Sequence, residues 1–358
     1  MSRAVQAHID LAAVKHNLQV VRQLAPTSKV LAIIKANGYG HGMVEIARAL
    51  QGIDAYGVAC IKEARSLRQQ GIVKPILLLA GWFSSEELYE AEKLDLDVVV
   101  HQVEQVEELA SVSLGKPLRV WLKVDTGMRR LGIFPESFAE VSQRLRQCSS
   151  VSSVNLMTHF SCADEPERKE TIRQIACFDE LEKDTVEECS LANSAGLIKF
   201  PTAQREWVRP GLMLYGAVPF EKETGLDYGL KPVMTYSSHL MAIKQCKKGD
   251  AIGYGGAYVC PEDMPIGLIA VGYGDGYPRH AQEGTPVLLN ERRVPLIGRV
   301  SMDSIFVDLS TFPDAKIGDR AILWGQGLPI EEVAVCSNTI PYELFCKVTE
   351  RVNFDYVE

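Results

Sequence analysis

Short apolar runs alternate with amphipathic stretches over residues 11–225 of the 358-residue chain. The apolar runs are KVLAIIK, AYGVAC, ILLLA, DVVV, LRVWLKV, VNLMTH, CSLAN and REWVRP. The stretches between them, such as MVEIARALQG and IKEARSLRQQG, carry apolar residues at helical spacing and end in glycine or a charged turn. Buried strands separated by helices indicate a parallel sheet. Eight such strands predict a closed (β/α)8 TIM-like barrel, and an open doubly wound sheet is the alternative.

The pattern changes near residue 226. The segments that follow read as strands with turns such as KKGD between them, and they are SSHLMAIKQ, PIGLIAVGY, TPVLLNERRVPLIGR, SIFVDLS and RAILWG. Little helical spacing is evident there, so we expect a mainly β C-terminal domain over residues 226–358. We expect the α/β barrel to take residues 11–225, and residues 1–10 to form a strand that joins the C-terminal domain.

Composition and charge argue against several classes of protein. Hydrophobic residues make up 46% of the chain and charged residues 23%, as in ordinary globular proteins. A net charge of −8 argues against a nucleic-acid partner. The longest apolar stretches, such as ILLLAGWF, are too short to span a membrane, and the N-terminus lacks the apolar centre of a signal peptide. The nine cysteines form no CxxC pair, which favours free thiols in the cytoplasm.

A lysine stands at the end of the first predicted barrel strand. The buried run VLAII leads to Lys35 and then to a glycine-rich segment. In a (β/α)8 barrel, the C-terminal ends of the strands carry the chemistry. An uncharged lysine amine at that end can form a Schiff base with an aldehyde. A lysine that reaches out to solvent is the alternative, and the position alone leaves both open.

The segment around this lysine, IKANGYGHG, favours the first interpretation. It resembles the pyridoxal-phosphate attachment motif of alanine racemases, VKANAYGHG, with Gly38 in place of the internal alanine. The resemblance implies that Lys35 holds pyridoxal 5'-phosphate as an internal aldimine. It also implies that the Tyr39 hydroxyl contacts the cofactor phosphate.

Segments at later strand ends carry the same resemblance. LKVDTGMRRLGI resembles the family's LKxDTGMxRLG, which implies that Arg130 aids cofactor and substrate binding. The same match aligns Lys123 with a lysine that is often carbamylated in the family, where the added carboxylate orients the arginine. A simple ion pair of Lys123 at the rim is the alternative. Arg129 adds a second positive charge at the site. MTHFSCADE resembles THFA–ADE and places His159 near the pyridine ring, and we expect no metal because the spacing fits no zinc pattern.

The segments ANSAG and VRPGLMLYG follow the seventh and eighth predicted strands, where (β/α)8 barrels commonly bind phosphate. The Ser194 hydroxyl and the backbone of Gly211 and Leu212 fit such a site, and a helix cap with a tight turn is the alternative. The resemblance assigns Arg209 to the pyridine nitrogen of the cofactor. An arginine is always protonated, so it keeps that nitrogen unprotonated, weakens the ring as an electron sink and suppresses transamination.

The second domain carries further matches. AVGYGDGYPR resembles IGYADGYPR, which names Tyr273, in preference to Tyr277, as a second acid/base that reaches in from the other subunit of a homodimer. GRVSMD resembles GRICMD or GRVSMD and assigns the Met302 backbone amide to the substrate carboxylate. IGYGGAY resembles VSYGxTY more loosely, through Tyr254. Glu350 stands where some members have a tyrosine that touches the phosphate, and we expect this carboxylate to point elsewhere.

Inversion of an α-carbon needs acid/base groups on both faces of a planar intermediate, because one base rarely reaches both. The resemblance supplies Lys35 for the D-side proton of alanine and Tyr273 for the L-side proton. It leaves open the substrate range, because one methylene changes discrimination by only about 1–3 kcal/mol. It also leaves open whether the enzyme makes D-alanine for peptidoglycan or breaks alanine down. The alternatives are a decarboxylase of basic amino acids with the same fold and a pyridoxal-phosphate carrier that resembles the barrel alone.

Overall fold

The computed structural model describes residues 4–181 and 183–358. Its strands, β1 to β18 in chain order, span Gln6–Asp10, Lys29–Ile33, Ala55–Val58, Ile76–Leu78, Asp97–Val100, Leu118–Lys123, Val151–Met157, Cys189–Asn193, Trp207–Arg209, Met234–Cys246, Ala251–Ile252, Tyr258–Val259, Met264–Ile269, Pro286–Leu289, Arg292–Ile297, Ile305–Asp308, Arg320–Trp324 and Asn353–Val357. Its right-handed α-helices span Leu11–Leu24, Met43–Ala49, Ile61–Gln69, Ser85–Lys93, Val103–Ser111, Phe138–Gln147, Glu170–Asp179, Ser194–Lys199, Ile330–Cys336 and Pro341–Lys347. None of these described helices has the length and apolar character that a bilayer span requires.

The chain divides into two compact units. One unit is Leu18–Leu214, and the other combines Met1–Asn17 with Tyr215–Glu358. The first division falls inside the helix Leu11–Leu24. The domain boundaries expected from the sequence, at residues 11 and 226, stay a prediction.

Strands β2 to β9 form a closed parallel barrel within Leu18–Leu214. Each strand overlaps one of the eight apolar runs, so the predicted (β/α)8 barrel is confirmed and the open doubly wound sheet is excluded. The barrel closes where β9 pairs with β2, with Trp207 opposite Lys29. All eight strands are parallel, so their C-terminal ends meet at one rim of the barrel. This rim brings Lys35, Lys123 and Arg209 to the same end, because each stands at the end of a strand or just beyond it.

The second unit contains an eight-stranded sheet in the order β13-β16-β15-β14-β17-β10-β1-β18. This confirms the mainly β C-terminal domain. The long strand β10 pairs with β1 and β17 through its first half and with β13 through its second half. Strand β1 also runs parallel to β18, so Gln6–Asp10 is a strand of this sheet.

Two helices near the C-terminus have no counterpart in the sequence analysis. Ile330–Cys336 and Pro341–Lys347 are each seven residues long. A helix of two turns repeats its apolar spacing too few times to differ clearly from a buried strand. Pro341 at the first turn of the second helix is the signal that could have revealed it, because proline is favoured at that position.

Candidate active site at the rim of the barrel

Lys35 opens a short segment, Lys35–Tyr39, whose backbone turns with left-handed geometry. Ala36, Asn37 and Tyr39 have φ angles of 52°, 54° and 50°. Left-handed geometry costs a residue other than glycine about 1–2 kcal/mol, so it persists only where neighbouring groups hold it. This strained segment comes directly after β2 and presents Lys35 at the barrel rim.

Side chains within the motif hold the left-handed segment. Asn37 Oδ1 accepts a hydrogen bond from the Met43 backbone N–H at 3.0 Å, and His41 Nδ1 lies 2.8 Å from the Tyr39 carbonyl oxygen. Complete burial lowers the pKa of His41 to about 4, so its ring is neutral near pH 7. A neutral ring whose Nδ1 faces a carbonyl oxygen carries its proton on Nδ1 and donates it there.

Tyr39 lies against the segment that follows β9. A Cβ atom on Gly211 would stand 2.7 Å from Tyr39 Oη, so only glycine admits the phenol at this place. Ser194 is buried at the start of the helix Ser194–Lys199, and its Oγ accepts the N–H groups of Gly211 at 2.9 Å and Met213 at 3.3 Å. A serine hydroxyl that accepts two hydrogen bonds still has its own proton to donate. The structure therefore brings together the Tyr39 and Ser194 hydroxyls and the Gly211 backbone.

Leu212 is the next residue along the chain after Gly211. It is buried and begins the 3-10 turn Leu212–Tyr215. Its backbone follows Gly211 directly, so it lies on the segment that packs against Tyr39 and Ser194.

Arg209 ends β9 with only 4% of its surface exposed. Its guanidinium donates from Nη1 to Ser190 Oγ at 2.7 Å, and from Nη2 to the carbonyl oxygens of Thr158 at 2.6 Å and Leu191 at 3.2 Å. All three acceptors are neutral. Burial lowers the pKa of Arg209 to about 10, which still leaves it protonated near pH 7.

His159 lies beside Arg209, with its Nδ1 atom 3.4 Å from Arg209 Nη2. Burial, followed by the positive charges of Arg209, Lys123, Arg130 and Lys35, holds the pKa of His159 well below its usual range. The ring is therefore neutral. Among the residues that the structure describes, no group of three or more His, Cys, Asp or Glu side chains is arranged to hold a metal ion.

Lys123 ends β6 within the same cluster of charges. Burial lowers its pKa to about 8, and the nearby charges of Arg209, Arg130 and Lys35 act in the same direction, while Asp125 opposes them. We call Lys35, Lys123, Arg130 and Arg209 the cationic cluster. An array with this excess of positive charge favours an anionic ligand.

Asp125 shapes the loop that carries Arg129 and Arg130. Its Oδ1 atom accepts the backbone N–H groups of Gly127 at 2.9 Å and Arg129 at 3.0 Å. Arg129 has a φ of 58°, and its guanidinium lies 5.1 Å from the centre of the exposed Phe134 ring. The extra positive charge of Arg129 thus rests on an aromatic face at the protein surface.

Tyr273 and Met302 lie together in the other unit. The Tyr273 N–H donates to the Ser301 carbonyl oxygen at 3.1 Å, and the Gly274 N–H donates to the Met302 carbonyl oxygen at 2.9 Å. Tyr273 is 41% exposed and Met302 is 51% exposed. Tyr277, by contrast, is 1% exposed, and burial raises the pKa of its phenol.

The remaining motif residues of this unit stand at its surface. Tyr254 is among the most exposed aromatic side chains, and Glu350 is exposed too. Lys35 and Tyr273 belong to different units of the chain.

The groups that hold Arg209 were not predicted from the sequence. Ser190 carried a usable signal, because a hydroxyl inside the apolar run CSLAN must find a hydrogen-bond partner when it is buried. Thr158 and Leu191 accept through backbone oxygen, which leaves no mark on the choice of residue. Only the three-dimensional arrangement identifies these acceptors.

The chain matches two protein-family models across most of its length. These are alanine racemase, N-terminal domain, over residues 9–219, and alanine racemase, C-terminal domain, over residues 233–356. It is 50% identical to alanine racemase of Vibrio cholerae serotype O1, covering 99% of this chain and 98% of that protein. It is 48% identical to alanine racemase of Yersinia pestis, covering 99% of each protein.

Solved structures agree with these matches. The biosynthetic alanine racemase of Pseudomonas aeruginosa superposes with a TM-score of 0.96 at 41% identity, covering 100% of both chains. Alanine racemase of Acinetobacter baumannii superposes with a TM-score of 0.93 at 36% identity, covering 99% of this chain and 100% of that chain. The protein therefore belongs to the alanine racemase family, which is a family of isomerases.

Proposed function

We propose that this protein interconverts L-alanine and D-alanine with pyridoxal 5'-phosphate held on Lys35. The observation that carries the proposal is the cationic cluster at the barrel rim. Lys35 and Arg209 both lie close enough to His159 for their charges to lower its pKa, and the groups that accept hydrogen bonds from Arg209 are all neutral. We further propose that the enzyme is a cytoplasmic homodimer, and the free state of its nine cysteines is consistent with a reducing compartment.

The residues at the rim fit this cofactor. The Tyr39 and Ser194 hydroxyls, beside the close backbone of Gly211 and Leu212, suit a phosphate group. Arg209 suits the pyridine nitrogen, because a protonated guanidinium offers only donors and leaves that nitrogen unprotonated. When bound, the cofactor supplies an aldehyde for the lysine amine and a ring that withdraws electrons from the substrate α-carbon.

His159 completes the cofactor site in this proposal. Its neutral ring accepts a hydrogen bond from Arg209 at Nδ1, so the proton stays on Nε2. A neutral ring can lie beside the pyridine without adding a second positive charge to that of Arg209. The arrangement therefore leaves Arg209 as the group that sets the charge next to the ring nitrogen.

Two groups move the α-proton. Lys35 removes or returns the proton on the D face of alanine, and Tyr273 does so on the L face. The exposure of Tyr273 supports this choice over Tyr277, whose buried phenol cannot reach a substrate. Lys35 and Tyr273 lie in different units, which is consistent with Tyr273 acting in the site of a partner subunit.

Two residues bind the substrate carboxylate. The Met302 backbone amide hydrogen-bonds it, and the methionine side chain narrows the pocket so that it favours a small amino acid. Arg130 adds positive charge. Lys123, with a pKa of about 8, has enough neutral amine near pH 7 to 8 to add carbon dioxide, and the resulting carbamate orients Arg130.

A racemisation assay tests the proposal directly. Purified protein is mixed with each of a panel of amino acids, and chiral chromatography follows the appearance of the opposite enantiomer. D-alanine should give L-alanine with the highest kcat/KM, and Lys35→Ala should give none. Release of carbon dioxide would identify a decarboxylase instead, and no product from any substrate would identify a carrier.

Borohydride provides a second test, independent of turnover. Reduction should fix the cofactor covalently to one peptide, which mass spectrometry identifies as the peptide that contains Lys35. Label on any other lysine would contradict the assignment.

A further inference from the structure

Three successive helices of the barrel begin with the same side-chain hydrogen bond. Glu63, Glu87 and Gln105 are each the third residue of their helix, in Ile61–Gln69, Ser85–Lys93 and Val103–Ser111. Each accepts the backbone N–H of the residue four positions earlier, at Ala59, Phe83 and His101 respectively, with distances of 2.7, 2.9 and 2.8 Å. This bond ties the end of a barrel loop to the helix that follows it.

Glu63 makes a second bond that extends to another loop. Its Oε2 atom accepts the Ala59 N–H, and its Oε1 atom accepts the Ala36 N–H at 2.7 Å. The Ala36 N–H belongs to the peptide group that directly follows Lys35. One carboxylate therefore joins the loop after β3 to the peptide that carries Lys35.

The fixed peptide stands at the start of the left-handed segment. Ala36 and Asn37 adopt φ angles that their side chains disfavour. The bond from the Ala36 N–H to Glu63 opposes rotation of this peptide toward the geometry that these residues prefer. Such a rotation changes the direction in which the Lys35 side chain leaves the backbone.

We propose that Glu63 is a positioning residue for Lys35. Its carboxylate holds the Lys35–Ala36 peptide so that Lys35 Nζ reaches the α-carbon of the substrate. A displacement of a reacting group by about 1 Å can cost about 100-fold in rate. This role rests on the proposed function of Lys35 as the base on the D face.

The test compares Glu63→Met with Glu87→Met. Both substitutions remove a carboxylate from the third position of a helix and delete the bond to the residue four positions earlier. Only Glu63→Met also frees the Ala36 N–H, so Glu87→Met is the matched control. Glu63→Gln keeps one acceptor oxygen and is the milder second variant.

Hydrogen–deuterium exchange on each full-length protein as purified reports on the backbone itself. Glu63→Met should raise the exchange of the peptide over residues 34–42 by about tenfold or more, and Glu87→Met should leave that peptide unchanged. Glu63→Gln should fall between them. Unchanged exchange of this peptide in Glu63→Met would overturn the proposal.

Kinetic isotope effects separate positioning of Lys35 from general loosening. Glu63→Met should lower kcat by about 10- to 100-fold with a smaller change in KM, and Glu87→Met should stay within about twofold of the original protein. With α-deuterated alanine, the isotope effect in Glu63→Met should rise for the D enantiomer, whose deuteron Lys35 removes. The isotope effect should fall for the L enantiomer. In that direction Tyr273 removes the deuteron first, and the slower step is then the later proton transfer from Lys35, which involves no α-deuteron.

The unsubstituted enzyme shows whether the proposed function itself holds. If it does not racemise alanine, or if Lys35→Ala racemises it normally, the proposed function fails and Glu63 has no base to position. If the unsubstituted enzyme behaves as proposed but both isotope effects change equally in Glu63→Met, then Glu63 only stabilises the fold. That result would overturn the positioning role alone.

Discussion

Arg209 directs an Nη2–H group at His159 Nδ1 across 3.4 Å. Arginine has only donors, so this nitrogen of the histidine must accept and the ring must be neutral. The low pKa of His159 agrees, because burial and the neighbouring cations both disfavour a charged ring. Of Arg209 and His159, only Arg209 therefore carries a positive charge next to the proposed position of the pyridine nitrogen.

Replacement of Arg209 should change which reaction is catalysed. Arg209→Glu places an acceptor where the structure has a donor, so the pyridine nitrogen of the cofactor should become protonated and the ring a stronger electron sink. We expect racemisation to fall by about 100-fold or more. Slow transamination should rise, measured as pyruvate formed from alanine.

The matched control is Arg205→Glu, which makes the same change of charge before β9. Arg205 pairs with Asp179 at 2.7 Å outside the cationic cluster. The Arg205→Glu variant should lose little racemase activity and should form no additional pyruvate. If the racemisation rate of Arg209→Glu were unchanged, Arg209 would not control the protonation of the pyridine nitrogen.

Gly211 should be essential for cofactor affinity. The added Cβ of Gly211→Ala would stand 2.7 Å from Tyr39 Oη and displace a proposed phosphate ligand. We expect the Kd for pyridoxal 5'-phosphate, measured by absorbance titration, to rise by about tenfold or more. Gly52→Ala is the control, because a Cβ there meets nothing within 4 Å. Equal affinities in the two variants would show that the phosphate binds elsewhere.

Lys123 should carry a carbamate whose amount rises with pH. Only the neutral amine adds carbon dioxide, and the pKa of about 8 means that the neutral fraction grows most steeply around pH 8. An ordinary exposed lysine, with its pKa near 10.4, would begin to react about two pH units higher.

Carbon-13 NMR measures this carbamate at a fixed pressure of labelled carbon dioxide. The signal should be half-developed near pH 8 and absent from Lys123→Ala. Lys116→Ala, at an exposed lysine, should retain it. A protein without this signal, together with full activity in Lys123→Ala, would make Lys123 an ordinary lysine.

Subunit mixing tests whether the active sites are shared. Lys35→Ala and Tyr273→Phe homodimers each lack one base at every site, so each should be nearly inactive. If Tyr273 serves the partner subunit, a mixed dimer has one site with both defects and one site with neither. Random pairing makes about half the dimers mixed, so about a quarter of the original activity should return.

Native mass spectrometry must first confirm that the subunits have exchanged. With exchange confirmed, the absence of recovered activity would mean that Tyr273 serves its own subunit. Recovery near a quarter would support the shared site.

The barrel could be predicted from the sequence because its strands are buried on both faces. Runs such as DVVV, which becomes Asp97–Val100, are continuous in apolar character and stand out between amphipathic helices. The closure of the barrel, where Trp207 lies opposite Lys29, depends on pairing between distant parts of the chain. The sequence predicts a closed barrel only because eight apolar runs can be counted, which is the number of strands in this barrel.

The candidate site was predictable to the extent that its residues lie in recognisable motifs. Lys35 and Arg209 stand at strand ends, where the barrel fold alone predicts that they reach the rim. The role of Glu63 could not be predicted, because its partner at Ala36 is a backbone N–H that any residue but proline provides. The left-handed geometry of Ala36 and Asn37 was equally hidden, since neither residue type requires it.

Proton exchange in deuterium oxide tests the assignment of the two bases most directly. Proton NMR follows the α-proton of D-alanine and of L-alanine in the presence of Tyr273→Phe. Lys35 remains on the D face in this variant, so D-alanine should lose its α-proton to solvent without forming L-alanine, while L-alanine should keep its α-proton. The unsubstituted enzyme should exchange and invert both. Exchange of L-alanine but not D-alanine in Tyr273→Phe, or racemisation at the unsubstituted rate, would contradict the account.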